Sequence, residues 1–272
     1  MNKWMKTYWR QRRNAKFADY RKFEFEYAKE IDDRVAIIMI NPKLIYRIDN
    51  PSEELQMIAV KQDGDSIQFI KDPSEEVKLA TVKKRGKSIQ YIENPSEQVK
   101  LVAVQQNGEA INHIKNPSEQ VQMAAVQKDP YAIYFILAKD IKPSEEVQLG
   151  AVKQRGGSIM HIIEKGITPS EQVQMAAVQN SGGAIQFIVN PSEEVQLAAV
   201  QKNPYSIKYI YNPTEQVQLV SVKREGEAIR YIKNPSEEVQ MIAVQKNIIL
   251  IDDIENPSEE VKQLARSKGM RI

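Results

Sequence analysis

Ten copies of Pro-Ser/Thr-Glu, beginning at Pro51, Pro73, Pro95, Pro117, Pro143, Pro169, Pro191, Pro213, Pro235 and Pro257, set a hydroxyl beside a carboxylate along most of this chain. A serine nucleophile needs a base within hydrogen-bond reach and a third group to orient that base. The chain has two histidines, His113 and His161, and no cysteine, so it cannot supply an imidazole base to each copy. The two histidines occupy the same place in the repeat, two repeats apart. That puts them about 20 Å from one another at a helix spacing of roughly 8–10 Å, too far to share a metal ion whose ligands lie about 2 Å from it. With no cysteine there is neither a disulfide nor a thiolate metal site, and no glycine-rich phosphate loop stands in a strand–helix context. The expectation is a chain without catalysis, cofactor or metal, in which Ser52 and its counterparts are capping residues.

The intervals between copies are 22, 22, 22, 26, 26, 22, 22, 22 and 22 residues. A fixed period of this size is the mark of a solenoid, whose units bury their apolar faces on their neighbours. Most units open with Asn or Asp before the Pro, which reads as N-cap, with Pro at N1, Ser at N2 and Glu at N3. Val-x-Leu/Met-Ala-Ala-Val follows, as in Val195, Leu197, Ala198, Ala199 and Val200. Asn-Gly, Asp-Gly or Asn/Asp-Pro then breaks the helix, as at Asn107-Gly108 and Asn203-Pro204. A second segment, Ala/Ser-Ile-x-aromatic-Ile, closes the unit. The pattern predicts an all-α, right-handed α-solenoid of about ten units, each with one α-helix of about three turns and one short α or 3-10 helix.

These units resemble short helix-pair repeats of the type NPSEEVQLAAVKQNGxAIxYI, found in tandem in uncharacterised phage and bacterial proteins. The resemblance covers residues 50 to 265 and implies an architecture, not an activity. What it adds is a setting: a phage or bacterial protein working in the bacterial cytoplasm. A weaker likeness to leucine-rich-variant solenoids, which alternate α and 3-10 helices, speaks for shape alone. The composition is compatible with that setting: 272 residues are 42% apolar with a net charge of +2, and no apolar run reaches membrane-spanning length.

Residues 1–34 depart from the repeat and read as a basic, aromatic capping helix or arm. Phe17, Tyr20, Phe23 and Tyr27 recur at helical spacing, while Trp4, Tyr8, Trp9, Arg10, Arg12 and Arg13 could reach nucleic acid or an acidic partner. Residues 35–272 read as one continuous solenoid. Its first unit is degenerate, with Asn41-Pro42 aligned to Asn203-Pro204, and a C-terminal cap begins at residue 257. Central insertions fall near 137–142 and 163–168, where a bend or ledge is expected. Beside that ledge the variable columns turn aromatic or apolar at Tyr131, Tyr134 and Met160, and again at Tyr205 and Tyr211. Tyr and Met are enriched at interface hot spots, and these five are the candidate partner-binding residues. The regular column Phe69, Tyr91, His113, Phe135, His161, Phe187, Tyr209 and Tyr231 lies between isoleucines, which predicts stacked interior packing.

Three functions follow in order. The first is a non-catalytic protein-binding scaffold, which with the resemblance becomes a phage accessory protein inhibiting a host antiviral protein. The second is a nucleic-acid binder using the N-terminal arm and the lysines at helix ends. The third is a small-molecule or nucleotide sponge at the central insertion.

Overall fold

A computed structural model of the chain describes residues 31–271, and within them all regular structure is helical. The chain forms two compact units, Met1–Pro117 and Ser118–Ile272. The described part of the first contains α1 (Ile31–Ile40), α2 (Glu53–Gln62), α3 (Glu75–Lys84) and α4 (Glu97–Gln106), followed respectively by 3-10 helices Pro42–Arg47, Gly64–Phe69, Gly86–Tyr91 and Gly108–His113. The second begins with α5 (Glu119–Lys128), α6 (Ala132–Leu137), α7 (Glu145–Gln154), a 3-10 turn Gly156–Ser158 and α8 (Ile159–Glu164). It continues with α9 (Glu171–Asn180), α10 (Glu193–Lys202), α11 (Glu215–Arg224), α12 (Glu237–Lys246) and α13 (Glu259–Ser267), alternating with 3-10 helices Gly182–Phe187, Pro204–Tyr209, Gly226–Tyr231 and Ile248–Asp253. Within each unit, long helices pack on long helices and short on short. This is the α-solenoid that the period predicts.

The core repeats with the sequence. In α10, Val195, Ala199 and Val200 are fully buried, and in the short helix that follows so is Ile207. Burying each such side chain is worth about 1.5–3 kcal/mol for Val or Ile. Alanine at the second of these positions presents only a methyl group, so the backbones of adjacent long helices can come close.

The cap register differs from the expected one by two residues. The N-cap is Ser or Thr, not Asn: the side chains of Ser74, Ser96, Ser192 and Thr214 accept from the amides of Val77, Val99, Val195 and Val217. Glu therefore stands at N1, not N3. The Asn and Asp residues before Pro serve the backbone instead: Asn50, Asp72, Asn94, Asn190, Asn212 and Asn234 adopt φ of 44° to 52°. Asn and Asp are the non-glycine residues that enter this left-handed region most readily.

In several repeats the cap hydroxyl makes a second bond. Thr214 donates to the Glu193 carboxylate of the preceding unit at 2.5 Å, Ser74 to Glu53 at 2.5 Å, and Ser192 to Glu171. Asn and Asp side chains can accept from the N3 amide, but an ionised Asp has no proton for the neighbouring carboxylate. Replacing Ser192 by Asp is expected to keep the cap yet lower stability by about 1 kcal/mol through repulsion of Glu171, the scale of like charges roughly 4 Å apart in water. Thermal unfolding of Ser192→Asp with and without Glu171→Gln checks this, the second change restoring the loss. The glutamines after the first helical valine also satisfy the turn: Gln196 and Gln218 donate to the carbonyls of Pro191 and Pro213 in their own units, at 3.0 Å each.

The two 26-residue repeats absorb part of their added length by a change of helix type. Their second elements, α6 and α8, are α-helical where the other units have 3-10 helix. An α-helix packs about 3.6 residues into a 5.4 Å turn, against 3.0 at a rise of about 2 Å each in a 3-10 helix, so the same path takes more residues. The remainder forms turns with left-handed residues Asp140 (φ 59°) and Gly166 (φ 76°).

Candidate partner-binding surface

In the second unit, α6 and α8 pack side by side. Tyr131 stands at the N-cap of α6, where its amide donates to the Asp129 carboxylate at 2.9 Å. Tyr134 follows one helical turn later, so both rings rise on one side of the helix. Their centroids are 5.2 Å apart and nearly parallel, with an interplanar angle of 16°. Two further rings close the cluster edge-on: Phe135 lies 5.5 Å from Tyr131, and His161 of α8 lies 5.6 Å from Tyr131 and 5.4 Å from Tyr134. His161 Nδ1 is 3.6 Å from the Glu164 carboxylate. Such offset and edge-on pairs contribute about 0.5–1.5 kcal/mol each beyond burial, so the rings are held before any partner arrives. Tyr134 remains 43% exposed within this packing. Beneath it, Ile133 and Ile136 are fully buried and anchor α6.

Beside the cluster, the two inserted segments are tied together by Lys165 and Asp140 at 2.7 Å. The hydrogen bond and charge of Lys165 hold the Asp140 carboxyl below the usual carboxylate range. At the start of α7 a cleft of about 370 Å³, open to solvent, is lined by Lys142, Ser144, Glu145, Gln148, Ile167 and Thr168 among others.

The five candidate residues do not form one patch. Tyr131 and Tyr134 come together, and half-buried Met160 precedes His161 on α8. Tyr205 lies elsewhere, with the Gly182–Phe187 helix packed between α8 and its own short helix. It meets Tyr231 edge-on at 6.1 Å. Desolvation, then the Glu225 and Glu227 carboxylates, push the Tyr205 phenol up, so it stays neutral. Tyr211 is 98% exposed and has no ring contact among the described residues. Trp4, Tyr8, Trp9, Arg10, Arg12 and Arg13 lie outside the described residues.

The regular aromatic column is not stacked in the interior. Phe69, Tyr91, Tyr209 and Tyr231 are 37–47% exposed, His113 is exposed, and Phe135, His161 and Phe187 are half-buried. In a 3-10 helix, residues three apart eclipse one another. Ile67 and Ile70 therefore both face inward and carry Phe69 about 120° off the core direction. Phe135 and His161, the two cluster members that belong to this column, sit half-buried on the α-helices α6 and α8 instead of in the interior that the sequence pattern predicts.

Among the described residues no helix is long and apolar enough to cross a membrane. No protein-family model, curated protein or solved structure matches this chain significantly.

Proposed function

We propose that the chain is a non-catalytic protein-binding solenoid whose contact surface is centred on Tyr131, Tyr134, Phe135 and His161. One observation carries the reading: four rings are preassembled across α6 and α8 while Tyr134 stays 43% exposed. Rigid aromatic groups give large contact area at small entropic cost, which is why they dominate interface hot spots. Taken with the repeat resemblance, the partner is a bacterial host protein, and inhibition of an antiviral factor is the role proposed for the contact.

The test is capture from bacterial lysate with the tagged full-length chain and with its Tyr131→Ala/Tyr134→Ala/Met160→Ala variant, each with and without nuclease. The expected result is one stoichiometric protein, retained after nuclease and moderate salt, and lost from the variant. Hot-spot substitutions cost about 2 kcal/mol or more, roughly thirtyfold in affinity. Undiminished capture by the variant would sink the assignment of this surface. Recovery that depends on nucleic acid would move the function to a nucleic-acid binder.

A further inference from the structure

The first unit carries a second surface with a different chemistry. Helices α2 and α3 lie side by side and bound a groove of about 480 Å³ with Met57, Leu79 and Ala80 as its apolar floor. Lys61, Lys83 and Lys84 stand at one end and Glu76 at the other. All three lysines are exposed, and none is held in an ion pair among the described residues.

The helix dipole accounts for a cation in a last turn, and a lysine or arginine at the tenth helical position recurs at Lys84, Lys128, Lys202, Arg224 and Lys246. The position before it is different. It is glutamine at Gln105, Gln127, Gln179, Gln201 and Gln245, and the lysines Lys153 and Lys223 each stand between glutamine neighbours. Only α2 and α3 place lysine there in two consecutive long helices, at Lys61 and Lys83, and this is the pair that bounds the groove. Charge and cavity thus coincide where the repeat departs from its own pattern.

We infer that this groove docks an acidic, amphipathic helical segment of a partner protein, its apolar side chains on Met57, Leu79 and Ala80 and its carboxylates against Lys61, Lys83 and Lys84. A helix laid in a groove between two helices is a common recognition mode, read through apolar anchors at i, i+3, i+4 and i+7. A nucleic-acid strand fits less well. The floor offers apolar, non-aromatic side chains and no ring on which a base could stack. This surface is independent of the ring cluster, and either can fail without the other.

The test is fluorescence polarisation with the full-length chain and a labelled helical peptide of about 14 residues, with leucines on one face and glutamates on the rest. Its controls are a scrambled peptide of the same composition, a glutamate homopolymer and a single-stranded oligonucleotide of equal length. The expected result is saturable binding that weakens with salt, and that falls about tenfold or more for the scrambled peptide and for Lys61→Glu/Lys83→Glu. Ala80→Phe, which fills the floor, is expected to do the same. If it fails to fold by circular dichroism, the exposed lysine pair alone carries the test. The proposal is overturned by absence of saturable binding, by equal affinity for scrambled peptide or homopolymer, by tighter binding of the oligonucleotide, or by binding that survives the lysine reversal.

Discussion

Gly156→Ala is expected to lower stability by about 3 kcal/mol, while Gly157→Ala, one residue on, is expected to be neutral or to stabilise by up to about 1 kcal/mol. A β-carbon at Gly156 would stand 2.3 Å from the Ala177 carbonyl oxygen and 3.1 Å from the Ser181 amide nitrogen, whereas one at Gly157 meets nothing within 4 Å. The contact at Gly156 is with backbone of the next long helix, so no rotamer change relieves it. The junction is also clamped, since the Gly156 amide donates to Asn180 Oδ1 at 2.8 Å and Asn180 Nδ2 donates to the Lys153 carbonyl at 2.9 Å. Opening it loosens two units at once, and a solenoid is held by such nearest-neighbour interfaces. Gly226→Ala should fall between the two, because the atoms it would meet, at 3.1–3.3 Å, belong to the side chains of Leu250 and Lys246. Urea midpoints for the three variants give the order directly, and equal midpoints at 156 and 157 would count against the close junction.

Ile133→Ala is expected to cost about 2–5 kcal/mol, the range for deleting a fully buried aliphatic side chain in a core that cannot collapse around the gap. Ile133 has no exposure and anchors α6 from below, and the tyrosine rings rise from the same short helix. Tyr134→Ala should cost less than Ile133→Ala, since 43% of the residue is exposed and it loses ring pairs with Tyr131, Phe135 and His161 rather than a place in the core. The comparison separates support from contact. If thermal unfolding ranks Tyr134→Ala as severe as Ile133→Ala, the rings belong to the core, and a binding loss in the tyrosine variants would have to be read as unfolding. If the ranking holds, lost binding reports a lost contact.

The period, the helix pair and the buried valine, alanine and isoleucine positions were legible in the residue order, because each unit repeats the same local chemistry and a stacked array is the way to bury its apolar face. The degenerate first unit was legible for the same reason: Asn41 accepts from the Lys43 amide and opens Pro42–Arg47 as Asn203 opens Pro204–Tyr209. The cap register was not. Asn-Pro-Ser-Glu offers two residues that can cap; Ser192 takes the cap, and its hydroxyl also reaches Glu171, 21 residues earlier, a contact that the order of residues within one repeat does not show. The surface aromatics were half legible. Tyr131 and Tyr134 broke the repeat and so stood out, while Phe135 and His161 matched it and were placed inside. Whether an aromatic between isoleucines faces in or out depends on whether the backbone turns every three residues or every 3.6, and on which neighbour packs beside it. Local propensity decides what each unit is; contacts between units decide which of its side chains remain free to meet a partner.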